Sequence, residues 1–431
     1  MPTDMPDQLS RGDARRLAAL MLAQGWDETL MNAAVRAVWP DAPPDLVATM
    51  MAAWTLRYPP DERTLARRLE AHFRWAPAPP DLPVITVPAP PAQLSAFGDL
   101  GLPILESREA VADWFEITPP QLDWFADCQG RLARPGQEKF AHYTHQWVPK
   151  RTGQRLLEAP RPRLKALQRK VLAEILSLVP AHRDAFGFVP GRSCHGHAAR
   201  HAGEQVVITV DLKDFFPSVP ARRVHGIFRT LGYSHTVARL LTGLCTTPTP
   251  WDVLPTLPAG DRPAYRAAHL PQGAPTSPAL ANMAAYRLDV RLAALARRMG
   301  ANYSRYADDL AFSGDRGLVF DHATPLLEQV HEIIRDEGFS PNPAKTRIMR
   351  AGRAQRVTGL TVNRHINVSR AEYDRLKATL TNCLRYGPAS QNRDGHRDFR
   401  AHLEGRIAWV RSVNPRRAAR LEALFGRIYW S

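Results

Sequence analysis

The stretch SRYADDLAFSG, residues 304–314, sets two adjacent carboxylates, Asp308 and Asp309, in surroundings that otherwise read as strand, tight turn and strand. Like charges side by side in such a segment are costly unless something neutralises them. A second run, QVVITVDLKDFFPSVP (205–220), poses the same problem. Val206 to Val210 is short, apolar and rich in β-branched residues, so it reads as a buried strand that ends on Asp211. An aspartate after a strand is ordinarily a turn or helix-cap residue, and a Tyr-x-Asp-Asp string taken alone is weak. Together they mean more, because one aspartate at a strand end and two at a hairpin turn can converge. Three converging carboxylates repel one another unless cations intervene. Hard oxygen donors select Mg2+, with Mn2+ as a substitute. Two such ions about 3.5–4 Å apart activate an attacking hydroxyl and stabilise the leaving oxygen in a displacement at phosphorus. The pattern predicts nucleotidyl-transfer chemistry.

Charge points the same way. Lys and Arg number 57 against 42 Asp and Glu, a net charge of +15, which suits an anionic partner. Nucleic acid fits better than a membrane, since no apolar run approaches the ~18 residues of a membrane span. The start, MPTDMPDQLSRGDARR, lacks the apolar core of a signal peptide. A cytoplasmic protein without membrane contact is the expectation. Cys128, Cys194, Cys245 and Cys383 stand far apart with no Cys-x-x-Cys pair, so neither a disulfide framework nor a zinc site is indicated, and reduced, mostly buried thiols are expected.

Dense proline in APAPPDLPVITVPAPPAQ (76–93) reads as an extended linker, which sets residues 1–75 apart as a small module. Leu17, Leu20, Met21 and Gln24 recur there at helical spacing. Residues 105–128 read as two short helices broken by Pro119 and Pro120. WVPKRTGQRLLEAP (147–160) reads as a hairpin around Gly153, with Lys150, Arg151 and Arg155 at the turn, suited to phosphate or simply solvated. In RLKALQRKVLAEILSLV (163–179), Leu164, Leu167, Val171, Leu172 and Ile175 form the apolar face of an amphipathic helix.

From roughly residue 104 to 428 the chain resembles a bacterial reverse transcriptase, an RNA-directed DNA polymerase, and most specifically a retron-type one. An ordered series of segments carries the resemblance: YTHQWVPKRTGQRLLEAPRPRLKALQRKVLAEIL, HRDAFGFVPGRSCHGHAARH, ITVDLKDFFPSV, HLPQGAPTSPALANMAAYRLD, YSRYADDLAFSG, GFSPNPAKTRIMRAGRAQRVTGLTVN and LEGRIAWVRSVNP. It implies an α+β right-hand polymerase with fingers, an antiparallel-sheet palm and a helical thumb. Residues 104–365 would form fingers and palm and 366–431 a basic helical thumb, after a Pro-rich linker (76–103) and the helical N-terminal module (1–75), whose role is unassigned.

The resemblance also assigns roles. Asp211 and Asp308 become the main metal ligands, with Asp309 assisting. Phe216 matches the bulky gate beneath the incoming sugar, which leaves no room for a 2′-hydroxyl and makes the product DNA; the alternative is that Phe216 is a core aromatic, a role that Phe215 can take instead. Gln272 and Gly273 match the loop beside the incoming nucleotide, and Pro271, Pro275 and Pro278 stiffen that loop before a helix begins. Lys150 and Arg155 would hold the triphosphate. Lys345 matches a lysine that protonates the leaving group, or is a surface lysine.

Two signatures point to the retron branch and to RNA binding. Val357, Thr358 and Gly359 match one, near the palm–thumb junction. HAARH, from His197 to His201, matches the other, of form Asn-Ala-x-x-His, with His197 departing from the asparagine. The implied activity is copying part of a cognate structured non-coding RNA from an internal 2′-hydroxyl into a branched RNA–DNA product (msDNA), with dNTPs as substrates. Anti-phage defence and an accessory effector protein come by family association. Other bacterial reverse transcriptases, of group II intron or diversity-generating type, and an RNA-binding scaffold in a defence complex are the alternatives. In the tail, Arg393, Arg397, Arg400, Arg406, Arg411, Arg416, Arg417 and Arg420 accompany Phe399, Leu403, Ile407 and Val410 at helical spacing, with Trp409 expected in the core.

Overall fold

The computed structural model describes residues 9–24, 28–52, 62–74, 76–77, 79, 82, 100–136, 138–149, 154–315 and 323–430. The chain divides into two compact units: Met1–Leu122 with Phe228–Leu240, and Asp123–Ile227 with Leu241–Ser431. In the first, helices Arg11–Leu22, Glu28–Val38, Leu46–Ala52 and Glu62–Phe73 enclose a core that includes Leu17, Met21, Met31, Trp39, Leu46 and Leu69. Ser10 caps the first of them by accepting from the Asp13 amide. Most of the Pro-rich segment lies outside the described residues. The two short helices expected over 105–128 are Arg108–Trp114 and Pro119–Ala126, and Pro119 and Pro120 open the second, where the missing amide donor costs nothing.

The second unit holds the sheets. β1 (Tyr143–Pro149) and β2 (Gln154–Pro160) form the expected hairpin, ending on the pair Pro149 and Gln154. β3 (Val206–Leu212), β4 (Asn302–Tyr306), β5 (Asp309–Gly314) and β6 (Pro341–Arg350) make an antiparallel sheet in the order β4-β5-β3-β6. β7 (Arg356–Val357) and β8 (Leu360–Thr361) form a minimal hairpin. The unbroken apolar run of β3 follows from its central place: Val206, Val207, Ile208 and Val210 are all at most 1% exposed, each contributing ~1.5–3 kcal/mol of burial.

Helices Ser277–Ala284 and Tyr286–Arg298 follow the Pro-rich loop as two elements rather than one continuous helix. The Ala284 carbonyl at the junction is taken by the Arg223 guanidinium at 2.7 Å. From these helices Asp289 and Asn282 reach β4. Arg305 is 1% exposed and sits against Asp289 with two near-parallel bonds, Nε to Oδ1 at 2.8 Å and Nη2 to Oδ2 at 2.6 Å. Its Nη1 donates to Asn282 Oδ1 at 2.9 Å and to the Ala307 carbonyl at 3.0 Å. At the C-terminal end, helices Arg370–Tyr386, Phe399–Val413 and Pro415–Phe425 close over Leu376, Leu380, Leu403, Ile407, Val410 and Leu421.

Removing one member of a buried ion pair strands the other charge. Asp289→Ala should lower the unfolding free energy by about 3–5 kcal/mol, read as a fall in the urea midpoint; a midpoint unchanged from the parent would show that the Arg305 clasp carries no such weight.

Candidate active site

The register of the central sheet sets the acidic residues. β3 and β5 pair so that Asp211 lies directly opposite Asp309, an arrangement unfavourable for two like charges. Asp308 sits in the two-residue turn between β4 and β5, and its carbonyl accepts from the Leu212 amide at 2.9 Å. Ala307, the first turn residue, has φ +56° while Asp308 is not in that region, the sign pattern of a type II′ turn, in which glycine is the usual first residue. Two contacts hold this strained turn: the Arg305 bond to the Ala307 carbonyl, and the close approach of Gly187, where a Cβ would lie 2.4 Å from the Ala307 amide nitrogen.

β6 completes the site through an irregularity. Between Thr209 and Asp211 on β3, its partners move from Arg347 to Asn342, so β6 carries additional residues there and bulges. The bulge delivers Lys345 to Asp211, Nζ to Oδ1 at 2.7 Å, and Asn342 Nδ2 donates to Oδ2 at 3.0 Å. Asp211 is 6% exposed. Asp309 keeps an exposed edge, yet the surrounding protein, then the charges of Asp308 and Asp211, push its carboxyl up to about 7 against the pull of Lys345. Asp308 is raised too, by burial and then by Asp211, with Lys345 and Arg155 opposing. Burial alone would lower Lys345; its hydrogen bond to Asp211 and the three carboxylates outweigh that and raise it.

Divalent ions fit this donor set. Hard carboxylate oxygens crowd together, two of them hold protons above the usual carboxylate range, and an ammonium already serves as counter-cation on Asp211. Among the described residues no group of three or more His, Cys, Asp or Glu side chains is arranged to hold a metal ion by itself. Sites of this kind are completed by substrate phosphates.

The other expected positions fall as follows. Arg155, exposed on β2, is close enough for its charge to act on Asp308. Lys150 lies outside the described residues. Phe215 is 4% exposed and packs near Phe339 and the Arg305 guanidinium, whereas Phe216 is half-buried, its ring 5.9 Å from Phe188. Gln272 is 9% exposed and donates to the Tyr265 hydroxyl at 3.2 Å. Gly273 has φ +139°, and a Cβ there would meet the Glu158 carbonyl at 3.0 Å, so the loop needs glycine at that point.

The residues expected to touch RNA are placed differently. His197 and His201 are both 0% exposed. His201 contacts the hydroxyls of Ser313 and Ser304 at 2.7 Å each, and Ser304 meets His197 Nδ1 at 3.0 Å. Burial, then neighbouring charges, press both rings down to about 3, so they are neutral and packed against β4 and β5. Val357 is buried with Ala198, Val207 and Ala311. Thr358 and Gly359, both at positive φ, form the β7–β8 turn. Trp409 is 42% exposed instead of core, because the inward stripe of its helix runs through Leu403, Ile407 and Val410.

Residues 148–373 match the family model described as reverse transcriptase (RNA-dependent DNA polymerase). The chain is 44% identical over 336 residues to the Retron Mx65 reverse transcriptase of Myxococcus xanthus, covering 77% of this chain and 73% of that one. It is 38% identical over 329 residues to the Retron Mx162 reverse transcriptase of the same organism (73% and 65%), and 29% over 324 residues to the Retron Ec86 reverse transcriptase of Escherichia coli (75% and 89%). The chain belongs to the reverse transcriptase family, RNA-directed DNA polymerases, and within it to the retron type. No helix among the described residues is long and apolar enough to cross a membrane.

The value of Asp309, about 7, lies above the usual carboxylate range, so the folded state binds this proton more tightly than the unfolded one. That stability is present below the ordinary value and is lost as pH rises through about 7. With a chelator present, Asp309→Asn should therefore exceed the parent in urea midpoint by a margin that grows from about pH 4 to about pH 7 and then levels off; a margin independent of pH would contradict the assignment. Gly187→Ala should abolish most polymerase activity while the helical content is kept, as measured by incorporation and circular dichroism side by side.

Proposed function

We propose that this protein copies part of a cognate structured RNA into DNA, starting from a 2′-hydroxyl within that RNA and leaving a branched RNA–DNA product. The observation that carries the reading is the opposition of Asp211 and Asp309 beside Asp308, with Lys345 bonded to Asp211. Asp211 and Asp308, assisted by Asp309, would hold two Mg2+ ions, which would supply activation of the attacking hydroxyl and stabilisation of the leaving oxygen. Lys345 shifts to the departing pyrophosphate and donates its proton, which its raised value keeps in place until then. Arg155, with Lys150, holds the triphosphate by fixed positive charge. Gln272 and Gly273 line the nucleotide, and Phe216 blocks a 2′-hydroxyl while Phe215 stays in the core.

In this reading residues 104–365 act as fingers and palm and 366–431 as a thumb whose arginines meet the phosphates of template and product. The four cysteines, none of them in a disulfide, suit work in the cytoplasm. Association with an effector protein in phage defence follows the family association and awaits its own partner. Ala198 and Val357, one from each signature, meet in one apolar cluster with Val207 and Ala311 of the sheet, which favours a role in shaping the RNA-facing surface from below.

Expressed with its flanking DNA, the protein should co-purify with a discrete small DNA that shortens only slightly under ribonuclease and is absent from the Asp308→Asn, Asp309→Asn variant. RNA alone, unchanged in that variant, would favour an RNA-binding scaffold. Phe216→Val should relax discrimination against ribonucleotides by about 10- to 200-fold, measured as the ratio of kcat/KM for dNTP and rNTP; an unchanged ratio would remove Phe216 from the gate.

A further inference from the structure

A fully buried carboxylate stands on β2 where the proposed chemistry makes no use of one. Glu158 is 0% exposed, and its carboxylate accepts from His269 Nε2 at 2.9 Å and from Thr249 Oγ1 at 2.8 Å. The other ring nitrogen of His269, Nδ1, lies 2.8 Å from the Ala267 carbonyl. A carbonyl only accepts, so Nδ1 donates to it, and Nε2 faces the Glu158 carboxylate at hydrogen-bond distance. The clasp ties together three segments remote in sequence.

Stability alone does not call for it. Burying such a pair costs several kcal/mol per ion, and apolar residues of similar volume are often equally stable or more so. What the pair supplies is direction. The backbone amide of Glu158 donates to the Gln272 carbonyl at 2.8 Å, and Gly273 lies so close to β2 that a Cβ would press on the Glu158 carbonyl. His269 stands three residues before Gln272, and the Tyr265 ring, whose hydroxyl receives the Gln272 amide, meets His269 edge-on at 5.1 Å between centroids. Arg155 lies three residues from Glu158 on the same strand, roughly 10 Å along it.

We infer that Glu158 is a positioning residue for the incoming nucleotide: its clasp with His269 and Thr249 locks the strand that carries Arg155 against the loop that carries Gln272. This rests on the reading of Arg155 and Gln272 as nucleotide contacts. The clasp sets the spacing of two groups that must grip the same dNTP, one at the triphosphate and one beside the sugar and base. Loosening it misplaces both without removing either, and small misplacements at a reacting centre cost up to about 100-fold. The template and primer, held elsewhere, are unaffected.

The test is steady-state DNA synthesis by the full chain on an RNA template with a DNA primer, with thermal midpoint and template–primer Kd measured alongside. Five proteins are compared: the parent, Glu158→Gln, the paired Glu158→Leu with His269→Leu, Gln272→Ala, and Glu158→Gln combined with Gln272→Ala. Glu158→Gln should raise the dNTP KM by about 10-fold or more with template–primer Kd unchanged. The paired apolar variant should hold the parent's thermal midpoint and still show the raised KM. Combined with Gln272→Ala, the Glu158→Gln effect should shrink, because part of it acts through Gln272. A raised KM in Gln272→Ala with none in Glu158→Gln overturns the inference, as does a paired variant that recovers KM together with stability. An unchanged KM in Gln272→Ala overturns instead the nucleotide-site reading on which the inference stands.

Discussion

The structure depends on one unfavourable juxtaposition, Asp211 opposite Asp309 in the central ladder with Asp308 in the adjoining turn. Antiparallel pairing fixes the distance between the two strand positions, so the repulsion cannot relax by a side-chain move alone. The surrounding elements make this spacing tolerable. β3 is buried along its apolar length, Arg305 and Asp289 clamp β4 from behind, and Gly187 lets the neighbouring backbone lie on the catalytic turn. A two-residue turn with alanine at positive φ persists because these contacts over-determine it.

Lys345 gives the site its working balance. An ammonium on Asp211 satisfies part of the acidic field, and the β6 bulge that brings it there leaves its side chain 57% exposed. Such a side chain can move with little loss of packing. In the proposed reaction a divalent cation would displace it and leave the lysine free for the phosphates. The same clusters serve stability and chemistry in different ways: Arg305 and Asp289 are sealed and rigid, while Lys345 and Asp211 are open on one side.

Much of this was legible in the sequence. The strand that carries Asp211 near its end, the hairpin around Asp308 and Asp309, and the β1–β2 hairpin follow from apolar runs and turn chemistry, and these local signals survive in the fold. Burial was harder to read. His197 and His201 carry the polar character of a binding motif, and only the long-range contacts with Ser304 and Ser313 show them sealed beneath the sheet. Trp409 reads as core by hydrophobicity, yet it falls beside the inward stripe of its helix. Asn342 lies in the same NPAKT run as Lys345, and its adjacency was the available signal. Arg305 and Glu158 gave none, because their partners Asp289 and His269 are set by tertiary packing that no local spacing encodes.

The central claim is that the three aspartates form a divalent-cation site from which Lys345 is displaced. It is tested most directly by a crystal structure of the protein with Mn2+, a template–primer and a non-hydrolysable dNTP, with manganese located by anomalous scattering. The account predicts manganese bonded to carboxylate oxygens of Asp211 and Asp308 at about 2.0–2.3 Å, with the Lys345 ammonium moved from Asp211 to the β- and γ-phosphates. Manganese absent from both aspartates, with Lys345 still bonded to Asp211 while the nucleotide is in place, would contradict it.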